Sequence, residues 1–233
     1  GIRDVERSRG LGDVYKRQEF GGAGTVAKWA RQGTEVYYVV CTNGDKGTSD
    51  PDMDPARLAR IREQEQLEAA GILGVREVVF LRYPDAAVED TPPFRKDLVR
   101  AIRKFRPEVV VTADPYRKYL WHRDHRIVGR AVLDAVFPYA RDFHVFPELY
   151  HEEGLEPHKV QRVLLWGSPE TNCRLDITPT WELKMAALAC HRSQIPPERF
   201  PQMEARMRER YRLLAAGEEF ELAEAFHREE LWR

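Results

Sequence analysis

Two histidines and an aspartate lie close together in the segment Trp121-His122-Arg123-Asp124-His125. His122 and His125 are three positions apart, so a helical turn would place both imidazoles on one face, where they can point into a common space. Neutral imidazole nitrogens are common ligands for zinc and related ions, and a carboxylate such as Asp124 can fix the tautomer and orientation of a ring. A catalytic zinc ion usually takes three protein ligands, so this segment needs further ligands from elsewhere in the chain.

A simpler interpretation of the same residues is structural. His122 and Asp124 would then form a capping and hydrogen-bonding pair at the start of the helix that follows. The close grouping of ligand-type side chains favours the functional interpretation. One rival motif is excluded, because the H-x-H-x-D-H signature of metallo-β-lactamase-like hydrolases needs a histidine where this chain has Leu120.

The composition indicates one α/β domain and a small-molecule substrate. The chain has 233 residues, of which 42% are hydrophobic, and its 37 Lys and Arg nearly balance its 38 Asp and Glu. This balance argues against nucleic acid or a membrane as the main partner. Three cysteines without a C-x-x-C pair predict no disulfide framework, so we expect a reducing cytoplasm. The composition is also compatible with a homo-oligomer.

The order of the elements predicts a Rossmann-like, mostly parallel, doubly wound sheet in a single domain. The predicted strands cover residues 35–42, 78–81, 109–112 and 159–166. The predicted helices cover residues 26–31, 56–73, 92–105, 125–136 and 180–192. The glycine-rich segment 19–25 is expected to form a turn, and the charged tail 198–233 is expected to form one or two helices.

Polar side chains follow three of the predicted strands. They are Asn43, Asp85, and His122 with His125. Open α/β sheets keep their ligand sites outside the carboxyl ends of the strands, so we expect these side chains to converge on one cavity. Arg62 and Glu65 are three apart on a predicted helix, and an exposed ion pair is the simpler explanation for them.

Several segments of the chain carry the motifs of one known family. They are Glu19-Phe20-Gly21-Gly22-Ala23-Gly24-Thr25, Thr42-Asn43-Gly44-Asp45-Lys46-Gly47, Ile61-Arg62 with Glu65, Tyr83-Pro84-Asp85, His122-Arg123-Asp124-His125, Gly154-Leu155-Glu156-Pro157-His158-Lys159, and Lys184 through His191 to Ser193-Gln194. From Glu19 to about Leu231 the chain resembles the LmbE-like family of zinc-dependent N-acetylglucosaminyl deacetylases, also called the PIG-L family. The resemblance implies a Rossmann-like fold.

The resemblance also implies a role for each matching residue. His125 would be a zinc ligand, and His122 would stabilise the oxyanion or protonate the departing amine. Asp124 would orient His122. The implied substrate-binding residues are Asn43, Arg62 and Asp85, although an ion pair or a loop hydrogen bond accounts equally well for Arg62 and Asp85. His191 shares a helix face with Leu188 and is expected to be structural.

The start of the chain departs from the family pattern. In the family, a segment A-H-P-D-D-x-E-F-G supplies a His and the second Asp as zinc ligands and the first Asp as general base. Here Val14, Tyr15, Lys16 and Arg17 stand at the H-P-D-D positions, and the expected apolar first strand would fall across the charged residues 2–13. We interpret residues 1–18 as an assembly or cloning scar and residues 19–233 as the deacetylase domain. A natural metal-free relative is the alternative.

The function implied by the resemblance is hydrolysis of an N-acetyl group. The substrate would be an N-acetylglucosamine-containing small molecule or glycoconjugate, and the products would be acetate and a free amino sugar. Because the first metal motif is replaced, we expect Zn²⁺ to bind weakly or not at all and the activity to be impaired. A non-catalytic sugar-binding or scaffold protein on the same fold is the alternative hypothesis.

Overall fold

Helices and strands alternate through most of residues 17–119 and 122–231, the part of the chain that this computed structural model describes. The helices are α1 Arg17–Arg31, α2 Pro55–Leu73, α3 Pro92–Phe105, α4 Arg123–Val136, α5 Glu148–His151, α6 Trp181–Ala189 and α7 Phe200–Leu214. The strands are β1 Tyr37–Thr42, β2 Glu77–Tyr83, β3 Val109–Ala113, β4 Arg162–Trp166, β5 Cys173–Asp176 and β6 Ala223–Glu230. This arrangement confirms the predicted α/β class.

Within the described residues the strands form two sheets. Strands β1 and β2 pair in parallel. The second sheet has the order β3-β4-β6-β5, in which β3 and β4 are parallel and β6 is antiparallel to both of its neighbours. Within the described residues, β1 pairs with one neighbouring strand and β3 also pairs with one. The prediction about residues 2–13 falls outside the described residues and stays a prediction.

One apolar cluster joins the two sheets. It contains Val39 of β1, Val110 of β3 and Val163 of β4, which pack together with Phe94 of α3 and Val128 of α4. Helices α3 and α4 therefore cover one face of both sheets. This shared core fixes the carboxyl ends of β1, β2 and β3 relative to one another, so that the loops after them face a common region.

The glycine-rich segment 19–25 is helical, so the predicted turn is wrong. Helix α1 includes this segment because its glycines allow very close packing. A Cβ atom at Gly21 would lie 2.6 Å from the Trp166 side chain, and one at Gly24 would lie 2.7 Å from Ile177. Tertiary contact thus outweighs the low helix propensity of glycine, which costs about 1 kcal/mol per residue relative to alanine.

A buried ion pair holds this part of α1. Lys184 Nζ lies 2.6 Å from Glu224 Oε1, and both side chains are fully buried. Lys184 also donates to the Glu19 carbonyl at 2.7 Å, while the Glu224 carboxylate accepts from the backbone N–H groups of Gly24 at 2.9 Å and Thr25 at 2.8 Å. Burial acts to lower the pKa of Lys184, but the adjacent Glu224 carboxylate outweighs burial and raises that pKa. Lys184 therefore stays protonated, and the pair fixes α1 against α6 and β6.

The charged tail contains a strand as well as a helix. Helix α7 confirms the helical part of the prediction, but residues 223–230 form β6, which lies between β4 and β5. Its buried side chains are Ala223, Glu224 and Phe226. Glu224 is charged although it is buried, so β6 lacks the alternation of apolar and polar residues by which a strand is usually predicted.

Two predictions about cellular context can be compared with the structure. Cys41, Cys173 and Cys190 are free thiols. In residues 17–119 and 122–231, no helix has the length and apolar character needed to cross a membrane. A cytoplasmic location stays a prediction.

Candidate metal centre and active site

Helix α4 begins at Arg123, and His122 occupies its N-cap position. The His122 side chain makes no capping hydrogen bond to the helix, so the capping interpretation of this residue is wrong. Gly129 brings α4 close to the end of β3, since a Cβ atom there would lie 2.6 Å from the Ala113 carbonyl oxygen. The start of α4, with its imidazoles, is thereby held beside the carboxyl end of β3.

The Asp124 carboxylate is fully buried and joins α4 to the loop after β2. Its Oδ2 atom accepts a hydrogen bond from the Ala86 backbone N–H at 2.7 Å, while Oδ1 has no hydrogen-bond partner. One ligand-type atom from each of Asp85, His122 and Asp124 lies within 4.8 Å of the others. Two carboxylates and an imidazole therefore face one another across a space that is small enough for a single cation.

The loop after β1 is tied to the same place. Asn43 Oδ1 accepts from the backbone N–H groups of Asp45 at 3.2 Å and Asp85 at 3.3 Å, and Asp45 Oδ1 accepts from the Asp85 N–H at 3.1 Å. The structure thus brings together Asn43, Asp85 and His122, which follow three different strands. Asp45 was not singled out from the sequence, although its position directly after β1 satisfies the rule that selected Asn43.

Arg62 binds the backbone of the loop after β1. Its guanidinium group is buried and donates to the carbonyl oxygens of Gly44 at 2.5 Å and Gly47 at 3.1 Å. Glu65 is also buried, and it accepts from the Ser193 N–H and hydroxyl at 2.7 Å each. The exposed ion pair expected between Arg62 and Glu65 is therefore wrong. In these contacts Arg62 holds the loop that carries Asn43 and Asp45.

Electrostatics also favour a cation between the two carboxylates. Burial raises the pKa of Asp85, and the nearby Asp124 carboxylate raises it further, while His122 opposes the shift. A like charge so close by in a partly buried space disfavours ionisation of Asp85. A positive ion placed between the two carboxylates would remove that penalty, so the site has the electrostatic character of a cation site.

His125 is more buried than His122, with 1% of its surface exposed. Its ring centroid lies 5.0 Å from that of His122 and 5.5 Å from that of Trp166. The structure therefore places His125 behind His122 and against the last residue of β4. Trp166 was not selected from the sequence, although it ends a strand that the sequence predicts. Val14, Tyr15 and Lys16 lie outside the described residues, and the role of His125 as a zinc ligand stays a prediction.

His191 is fully buried, with Nε2 at 3.7 Å from Glu19 Oε2. Gln66 Nε2 donates to the other oxygen of Glu19 at 2.7 Å. Burial acts to raise the pKa of Glu19, but His191 and Gln66 outweigh it and lower that pKa. His191 thus contacts α1, and this contact supports the structural role that the sequence predicts for it.

The fold and site define an α/β protein with a cation-type cluster at the carboxyl ends of its parallel strands. Residues 18–136 match the family described as PIG-L, GlcNAc-PI de-N-acetylase. Over 181 residues the chain is 34% identical to the diacetylchitobiose deacetylase of Thermococcus kodakarensis, which covers 76% of this chain and 66% of that enzyme. It is 30% identical over 226 residues to the 1D-myo-inositol 2-acetamido-2-deoxy-alpha-D-glucopyranoside deacetylase of Nocardiopsis dassonvillei, covering 75% and 79% of the two chains.

A solved structure supports the same assignment. The N,N'-diacetylchitobiose deacetylase of Pyrococcus horikoshii superposes with a TM-score of 0.88 at 29% identity, covering 97% of this chain and 84% of that one. The chain belongs to the PIG-L family. The resemblance and the single-domain LmbE-like fold predicted from the sequence are therefore confirmed.

Proposed function

We propose that this protein is a metal-dependent hydrolase that removes the N-acetyl group from an N-acetylated amino-sugar conjugate. Two of the relatives that it matches are named diacetylchitobiose deacetylase and 1D-myo-inositol 2-acetamido-2-deoxy-alpha-D-glucopyranoside deacetylase. The observation that carries the proposal is the cluster of Asp85, His122 and Asp124 at the carboxyl edge of the sheet. These are the side-chain types that metal-assisted amide hydrolysis requires.

The described residues fit a metal ion. The cluster places carboxylate oxygens of Asp85 and Asp124, a ligand type that zinc accepts, beside the His122 ring. The Asp124 carboxylate is fully buried, its Oδ1 atom has no hydrogen-bond partner, and the Arg123 guanidinium lies 3.9 Å from that atom, so a bound metal ion would help to offset the cost of burying this carboxylate. In our proposal His125 is a zinc ligand, the Asp85 and Asp124 carboxylates lie beside the ion, and His122 acts as an acid rather than as a ligand.

A zinc ion bound there would supply polarisation of the acetyl carbonyl and activation of a water molecule. The side chains of this protein would do the remaining work. His122 is the only partly exposed imidazole beside the carboxylates of this described cluster, so it can donate a proton to the departing amine. The negative charge of Asp124 would stabilise the protonated ring. Arg62 would keep Asn43 in place by holding the loop after β1.

The first metal motif of the family does not fit zinc in this chain. Val14 has no donor atom, and Lys16 and Arg17 bring positive charge to positions where the family has carboxylates. Two unit charges about 4 Å apart interact by roughly 4 kcal/mol at an effective dielectric of 20, so replacing anions with cations turns attraction into repulsion. We therefore propose that the chain as written binds zinc weakly and is impaired in deacetylation.

Repair of the first motif tests this proposal. The repaired chain would carry Val14→His, Tyr15→Pro, Lys16→Asp and Arg17→Asp, with an apolar strand in place of residues 2–13. Elemental analysis should find about one zinc ion per repaired chain, the usual content of a single catalytic zinc site. Acetate release from N-acetylglucosamine conjugates should appear only after the repair. Stoichiometric zinc and full activity in the unrepaired chain would overturn the claim of impairment.

The second candidate is a non-catalytic sugar-binding protein on the same fold. The replaced motif favours it, because the chain lacks the family's general base and two of its zinc ligands. Under this hypothesis the chain binds an N-acetylated sugar, and the repaired chain releases no acetate even when it is loaded with zinc. The DNA upstream of the gene offers an independent test, since a start that encodes an apolar strand followed by H-P-D-D supports the enzyme.

A further inference from the structure

A cavity of about 480 Å³ lies between α7 and the segment 194–199. Its rim carries Arg199, Arg206 and Arg210, and its apolar lining includes Phe20 of α1 and Met207 of α7. The two α7 arginines are four positions apart and therefore lie on one side of the helix. We call this space the arginine cavity. It combines positive charge at its rim with an apolar interior.

The three arginines at this rim have no acidic partner among residues 17–119 and 122–231. The arginines that alternate with them on α7 are paired instead. Arg208 lies 3.2 Å from Glu221, and Arg212 lies 2.9 Å from Glu209. The same helix thus has one side on which guanidinium groups meet carboxylates and another on which they face the cavity. Guanidinium groups without a carboxylate partner can bind a planar carboxylate or a tetrahedral phosphate through paired hydrogen bonds.

The arginine cavity shares lining residues with a second cavity that reaches a neighbour of His125. Phe20, Met207 and Arg210 also line this smaller cavity of about 110 Å³, and Trp166 lines it as well. Trp166 ends β4, and its ring packs edge-on against that of His125 at 5.5 Å. Trp166 therefore contacts both the buried His125 ring and the smaller cavity, and the two cavities share Phe20, Met207 and Arg210.

We propose that the arginine cavity binds a carboxylate or phosphate group carried on an apolar aglycone of the substrate. The proposal rests on the proposed function, because that function places the acetylated sugar beside Asp85, His122 and Asp124. The apolar part of the aglycone would contact Phe20 and Met207, and the oxyanion would bind the guanidinium groups. The chain then prefers an acidic N-acetylamino-sugar conjugate over a neutral one.

Binding experiments with the unrepaired chain test this proposal without any need for turnover. The probes are three benzyl N-acetylglucosaminides with a para-carboxy, a para-phosphono or a neutral para-hydroxymethyl group. Isothermal titration calorimetry should give about tenfold tighter binding for at least one acidic probe, and the ratio of the two acidic probes shows which oxyanion is preferred. This preference should shrink as salt concentration rises, because the arginines are exposed to solvent.

Arg206→Gln combined with Arg210→Gln should remove the preference, while Arg208→Gln is the matched control and should keep it. Equal affinity for all three probes, or no binding of any, overturns the proposal. A preference that survives the double substitution, or one that is lost in the control, overturns it as well. Failure of the proposed function is separate, since it appears as absence of acetate release from the repaired chain whatever the probes show.

Discussion

Asp124 Oδ2 accepts a hydrogen bond from the Ala86 backbone N–H at 2.7 Å, and this contact fastens the start of α4 to the loop after β2. This contact brings His122, in the segment after β3, next to Asp85, in the loop after β2. The geometry of the candidate site therefore depends on a residue that the family resemblance treats only as a partner of His122.

Two substitutions of Asp124 should separate the contribution of its hydrogen bond to Ala86 from that of its negative charge. Asp124→Ala removes the acceptor and should lower the free energy of unfolding by about 1–3 kcal/mol, the cost of an unpaired buried group. Asp124→Asn keeps an oxygen acceptor and should lose less. Urea denaturation measures both values, and an equal loss in the two variants would show that the hydrogen bond to Ala86 contributes nothing.

The two histidines should respond differently in the repaired chain. His125→Ala should lose zinc, because His125 is the proposed ligand, whereas His122→Ala should keep zinc and lose turnover by about 10²-fold or more, as expected when a general acid is removed. Elemental analysis and acetate release measure the two effects. The opposite pattern, with zinc lost only in His122→Ala, would identify Asp85, His122 and Asp124 as the metal centre itself.

The buried Lys184–Glu224 pair should show strong coupling in a double-mutant cycle. Lys184→Met or Glu224→Gln alone leaves one buried group without its partner and should cost about 3–5 kcal/mol. The double variant should cost clearly less than the sum, since it leaves no uncompensated charge. Chemical denaturation of the four proteins gives the coupling energy. Strict additivity would mean that the pair is not what holds α1.

Stability should depend on pH through His227. A hydrogen bond from its ring to Glu229, together with one to the Glu170 carbonyl, raises the pKa of His227 above its usual 6.5. The folded state then binds the proton more tightly than the unfolded state, so this contribution to stability is complete below that value and disappears as pH rises through the raised pKa.

The difference in free energy of unfolding between the native sequence and His227→Gln should therefore be largest in mild acid and should fall towards zero in mild alkali. Thermal or urea denaturation across this pH range measures it. His144→Gln is the control, since His144 is an exposed residue on a different part of the chain. A difference that grows with pH would contradict the assignment of the pKa shift to Glu229.

Regular apolar patterns in the sequence predicted most of the fold well. The helix predicted at residues 92–105 has these bounds in the structure, and the helix predicted at 56–73 begins one residue earlier, at Pro55. The loops that carry Asn43, Asp85 and His122 also meet as expected, because parallel strands bring their carboxyl ends to one edge.

The errors share one physical cause, which is the dependence of local structure on distant contacts. The glycines of α1 favour a turn in isolation, yet they form a helix where Trp166 and Ile177 pack against them. Strand β6 contains the buried Glu224, whose partner Lys184 lies on another element. The spacing of residues within one segment cannot predict a pair between two distant elements. The same is true of Asp124, whose hydrogen-bond partner Ala86 follows a different strand.

The large separation of β6 from α1 along the chain has a consequence for the order of events during synthesis. Glu224 must be translated before it can accept the N–H groups of Gly24 and Thr25, which are separated from it by 200 and 199 positions. Until then β4 and β5 lack their shared neighbour, and α1 lacks one of its anchors. Contacts over such long separations form slowly, because the loop between them must first close. Helix α1 would therefore be secured only after β6 has been translated and has docked between β4 and β5.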